Sequence, residues 1–153
     1  MRPTLLAMLF LAAIGRAEQF DYYTHPVLSK AIADGTIKEF KELTSDQIGD
    51  YTSALPDSSS AFLVVMTNDK RFAKILAQPA RQKIGADKQA AMLLIDKYTT
   101  YKGTSDRAVQ SSGTNTHLYP GLRLSLDFGQ VVPESIGGDL IVVAGEKDPN
   151  AFV

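Results

Sequence analysis

The chain predicts an α+β fold: two N-terminal helices followed by about six antiparallel strands that form a small barrel or a two-layer sandwich. Three observations point there. Apolar residues recur at helical spacing up to Leu55 and at strand spacing from Ala61 onward. Clusters of Gly, Asn, Asp and Pro interrupt the strand region at short intervals. No helical pattern separates one strand from the next, so parallel crossovers are not expected.

A leader precedes this domain. Arg2 gives a positive start, Leu5 to Ile14 is an unbroken apolar run, and Gly15-Arg16-Ala17 ends it with small residues at its first and third positions. That is the layout of a secretory signal peptide, with cleavage expected after Ala17. The apolar run is half the length of a membrane-spanning helix, which needs about 20 residues. It also lacks the polar positions of a half-buried helix. Residues 1–17 are therefore read as a signal peptide and 18–153 as one domain.

The first helix is expected where Val27, Leu28, Ala31 and Ile32 share a face. Thr24 can cap it, Pro26 suits its first turn, and Gly35 can end it in a left-handed conformation. The second helix opens on a capping box, Thr44 with Gln47, flanked by Leu43 and Ile48 at the staple positions. Ile48, Tyr51 and Leu55 continue the stripe, and Pro56 stops it.

Phe62 to Met66 is apolar at every position, the mark of a central strand. A two-residue turn at Asn68-Asp69 would return the chain with Val65 opposite Phe72 and Phe62 opposite Ile75. Pro79 ends the returning strand or puts a bulge in it. Further strands are expected over Ala91 to Tyr101, Arg107 to Ser112, Leu122 to Phe128 and Asp139 to Ala144. In the third of these, Leu122, Leu124, Leu126 and Phe128 alternate with polar residues.

Composition removes several chemistries. There is no cysteine, so thiol nucleophiles, zinc–thiolate sites and iron–sulfur clusters are excluded. Phosphate-binding glycine loops, a Gly-x-Ser-x-Gly elbow and a His-Glu-x-x-His motif are all missing. The two histidines, His25 and His117, lie far apart with no acidic neighbour at ligand spacing, so neither a metal nor any other cofactor is expected.

The domain after Ala17 has 14 basic and 17 acidic residues, a net charge of −3, which argues against a nucleic-acid partner. The charge is unevenly spread. Glu18 to Asp69 is net −6, whereas Lys70 to Lys88 is net +5. The expected arrangement is an acidic helical region lying against a basic hairpin. The competing one is a basic patch open to an anionic ligand.

Candidate ligand-binding residues are His117, Tyr119, Arg123 and Asp127, which cluster where Pro120-Gly121 interrupts the strands. Together these features describe an exported, non-enzymatic binding or structural module, secreted or periplasmic. Its expected partner is a protein or glycan of the cell envelope, with no membrane insertion once the leader is removed. The alternative is a small secreted hydrolase with its site near His117.

Overall fold

A computed structural model of the chain describes residues 4–8, 20–40, 42–53, 60–103 and 108–143. The fold is mixed α+β. Among the described residues, helices α1 (His25–Ala33) and α2 (Ser45–Ser53) accompany nine strands. These are β1 (Thr4–Met8), β2 (Ile37–Phe40), β3 (Ala61–Met66), β4 (Phe72–Ile84), β5 (Lys88–Tyr101), β6 (Val109–Leu118), β7 (Leu122–Ser125), β8 (Gln130–Pro133) and β9 (Leu140–Ile141). Six form an antiparallel sheet in the order β2-β1-β3-β4-β5-β6, and three form a small antiparallel sheet, β8-β7-β9. The large sheet ends at β2 and β6, which do not pair, so no closed barrel forms among the described residues.

Side chains alternate across a strand, and this splits the core in two. Ala61, Leu63 and Val65 of β3, Ala73, Ile75 and Ala77 of β4, and Leu93, Ile95 and Tyr98 of β5 fill one face. Leu43 and Ile48 around the start of α2 pack there, together with Leu124, Leu126, Leu140 and Val142 from the small sheet and its flanks. The two sheets thus share one apolar cluster. Phe62, Val64 and Tyr101 face the other way and cover Leu28 and Ala31 of α1, with Phe20, Tyr23 and Ile37. Because both faces are covered, β3 is buried from Ala61 to Val65, as its all-apolar sequence requires.

The capping box forms as the sequence predicts. The Gln47 amide donates to Thr44 Oγ1 at 3.2 Å, and the Thr44 amide donates to Gln47 Oε1 at 2.9 Å. Leu43 and Ile48 meet in the core on either side of it. At α1 the expectation holds in part. Gly35 takes the left-handed conformation, φ +75°. Thr24 stands at the N-cap but its side chain makes no capping bond. Pro26 sits at one of the two positions a cap serves and has no N–H to offer. Leu55 and Pro56 lie outside the described residues.

The strand region departs from expectation in four places, each with a local cause. The β3–β4 loop holds one residue more than a two-residue turn, because Lys70 adopts φ +62°. The Thr67 amide bonds the Arg71 carbonyl at 2.8 Å, and the Lys70 amide bonds Thr67 at 3.0 Å. Val65 therefore pairs with Ala73 and Phe62 with Leu76. Second, Pro79 does not end β4, which runs on to Ile84, and the β4–β5 register shifts between Leu76 and Ala77, two residues before Pro79. The β3 ladder stops at Ala77, so Pro79 lies where β4 has one strand neighbour, the position a sheet tolerates. Third, β7 stops at Ser125; Gly129 turns the chain at φ +68°, and Phe128 is left 75% exposed. Fourth, β6 extends to Leu118 because β5 offers a partner as far as Leu93.

Three strands were not expected: Gln130–Pro133, which follows the Gly129 turn and pairs with β7, and two before β3. Ile37–Phe40 is too short to show a period. Thr4–Met8, the front of the apolar leader, lies between β2 and β3 as β1. Residues 9–19, with the expected cleavage point, fall outside the described residues. Among the described residues no helix is long and apolar enough to cross a membrane.

Candidate functional site

Strands β4 and β5 outrun their neighbours. β3 leaves β4 at Ala77, and β6 leaves β5 at Leu93. Beyond those points residues 80–84 and 88–92 pair only with each other and form an arm, closed by a turn at Gly85, φ +75°. Residues 81–89 are all exposed. Arg81 and Lys83 share one face, opposite Ala91 and Gln89; Ile84, 54% exposed, and Lys88 pair with one another on the other face. Asp87 is the one acid on this stretch.

The expected charge arrangement holds in part: α2, from the acidic region, packs against β4, and Asp69 pairs with Arg71 across the two stretches, whereas Arg81, Lys83 and Lys88 form no ion pair among the described residues. The pairs that form are Arg71 with Asp69 at 2.9 Å, Arg71 with Asp127 at 3.0 Å, and Lys97 with Asp21 at 3.2 Å. At the base of the arm Ala91 and Met92 are buried, Ala91 in the main cluster, whereas the outer residues 81–89 are exposed.

Of the four candidates from sequence, one meets the arm. The Tyr119 hydroxyl, just past β6, donates to Gln82 Oε1 on β4. His117 lies on β6 opposite Leu94, with a ring nitrogen 3.3 Å from Asn115 Oδ1. Arg123 is half-buried on β7 between Val132 and Ile141. Asp127 is buried behind the Arg71 guanidinium, whose proton it helps to hold above the ordinary arginine range. The four thus have separate partners. His25 packs against the Phe72 and Tyr101 rings, on the opposite face of the sheet from the main cluster. Among the described residues no three His, Asp or Glu side chains are grouped closely enough for a metal ion.

Two buried polar groups escaped the sequence reading. Asp139 is buried and accepts the Leu126 amide at 2.7 Å and the Asn68 amide at 2.8 Å. It ties the small sheet to the β3–β4 loop. An acid after Gly137-Gly138 reads as an ordinary turn residue, and only the fold shows which amides it meets.

Lys74 is the second. Sequence placed it with the surface cations, but it is 3% exposed. Its ammonium donates to the Phe20 carbonyl and lies 4.3 Å from the Phe20 ring centroid and 5.4 Å from that of Tyr101. Lys97 approaches the same Phe20 ring at 4.6 Å. Burial lowers the Lys74 pKa to about 8; Lys97 acts in the same direction and Asp21 against it. This amine holds the segment at Phe20 to β4 and is covered from solvent.

Comparison with family models, with curated proteins and with solved structures returns no match to this chain.

Proposed function

We propose that this is an exported binding module that contacts an anionic component of the cell envelope through the β4–β5 arm. One observation carries the reading: Arg81, Lys83 and Lys88 stand exposed on a hairpin that has left both neighbouring strands, with no ion-pair partner among the described residues. Cations that stabilise a fold are drawn toward acids of the same chain. Here, among the described residues, none of the acids between Glu18 and Asp69 forms an ion pair with Arg81, Lys83 or Lys88. Export follows from the leader layout of residues 1–17.

A two-stranded hairpin is only marginally stable alone. The Tyr119–Gln82 bond braces this one at mid-length, which assigns Tyr119 to the binding surface as a brace. His117, two residues earlier on β6, is assigned to its border, and Arg123 and Asp127 to the frame behind it. A scaffold of two antiparallel sheets that holds such an arm suits a surface ligand, such as an acidic glycan or the acidic patch of an envelope protein.

Binding of heparin or polyphosphate by the Arg81→Gln, Lys83→Gln, Lys88→Gln triple variant tests the reading. Exposed charge contacts contribute about 0.5 kcal/mol each, so three lost contacts weaken binding about tenfold. Equal affinity of variant and wild type would remove the arm from the account.

A further inference from the structure

β3 has the composition of a central strand, and it has a neighbour on each side only because Thr4–Met8 supplies one. β1 pairs with β3 from Thr4↔Met66 to Ala7↔Leu63, and with β2 from Leu5↔Phe40 to Met8↔Ile37. β2 and β3 both run antiparallel to β1, so they are parallel to each other and do not pair. They stand two strand spacings apart, about 9.5 Å. Cleavage after Ala17 would remove β1 and leave a gap one strand wide, lined on both sides by backbone N–H and C=O groups without partners. Such an edge is a template for another chain, and the buried residues of β3 make leaving it unfilled costly.

We propose that in the exported protein this gap is a strand acceptor, which takes an extended aliphatic segment of a partner polypeptide antiparallel to β3. The proposal rests on the export reading of residues 1–17. The occupant's chemistry is read from the segment seated there: four or more consecutive residues, aliphatic in the manner of Leu5-Leu6-Ala7, with no proline, since both of its edges bond to a strand. A strand already built into another sheet carries its neighbours with it and cannot enter a gap one strand wide. The occupant is therefore an isolated extended segment, which a second cleaved copy does not offer from its own sheet.

The test uses protein recovered from its native host after export. N-terminal sequencing comes first: a start at or near Glu18 supports the export reading, and a start at Met1 overturns that reading by itself. The cleaved protein is then titrated with a synthetic peptide spanning Arg2 to Phe10, with amide exchange followed at Leu63 to Met66. We expect saturable binding and exchange slowed about tenfold or more on those amides, with both effects absent for the same peptide carrying Leu6→Pro. Cleaved protein that ignores the peptide and already protects those amides would mean that β2 has closed onto β3. Cleaved protein that is dimeric and indifferent to the peptide would mean that a second copy fills the gap. Either result overturns the proposal while leaving export intact.

Discussion

Tyr98 on β5 faces Gly113 on β6 across the ladder, and its ring occupies the space a side chain at Gly113 would need. A Cβ at Gly113 would stand 2.6 Å from Tyr98 Cε1, and one at Gly129 would stand 2.8 Å from the Tyr98 hydroxyl. One buried ring therefore crosses β6 and reaches the turn after β7, joining the two sheets. Gly113→Ala should cost about 1–3 kcal/mol through overpacking. In a Tyr98→Leu background the same change should cost much less, and a double-mutant cycle by urea denaturation measures the difference. Additive costs would show that the two residues do not compete for that space.

Lys74 should give the stability an alkaline rise. Its pKa is lowered to about 8 in the folded protein, against an ordinary 10.5. Below pH 8 both states are protonated and the cost of burying the charge is fully present. Between pH 8 and 10 the unfolded chain binds more protons, so unfolding free energy increases with pH, on the order of 2 kcal/mol. Above pH 10 the sign reverses. Tyr23, Tyr98 and Tyr101, all raised above the ordinary 10.0 by burial, keep protons that the unfolded chain releases. Urea midpoints across this range should peak between the two regimes. Lys74→Met should flatten the rise and keep the fall; a rise that survives the substitution belongs to another group.

Thr44→Ala should lower stability by about 1 kcal/mol, since the Gln47 amide loses its acceptor at the start of α2. A denaturant midpoint that does not move would mean that the box contributes nothing in solution.

Lys70→Gly should stabilise the protein. Lys70 holds φ +62°, where a side chain costs about 1 kcal/mol that glycine does not incur. The glycine's greater freedom in the unfolded chain offsets part of this, leaving a net gain of about 0.5 kcal/mol. A thermal midpoint that falls would contradict the strained-turn account.

What could be read from the sequence was what local chemistry decides. The Thr44–Gln47 box, the apolar run of β3 and the left-handed Gly35 depend on residues a few positions apart, and all three are found. The β3–β4 register was missed by one residue, because nothing in Asn68-Asp69-Lys70 announces that a lysine takes the left-handed position usually given to glycine. The burial of Lys74 was missed because it depends on Phe20, 54 residues away. The arm was missed for the same kind of reason. Whether β4 and β5 keep their outer neighbours beyond Ala77 and Leu93 is settled by where β3 and β6 stop. The pairing of Thr4–Met8 as β1 was missed because its apolar run does not alternate and resembles a secretory signal.

The claim at the centre of this account is that the β4–β5 arm is an open anionic-ligand surface. The most direct measurement is a salt-gradient elution from heparin or polyphosphate, with the thermal midpoint of each protein taken alongside. The account predicts that wild-type protein elutes well above physiological ionic strength, about 0.15 M, that the Arg81→Gln, Lys83→Gln, Lys88→Gln variant is not retained, and that both melt alike. Co-elution of the two proteins, or a variant that melts lower at low salt and recovers at high salt, would contradict it. The latter result would show that the arm's charges serve pairs within the fold.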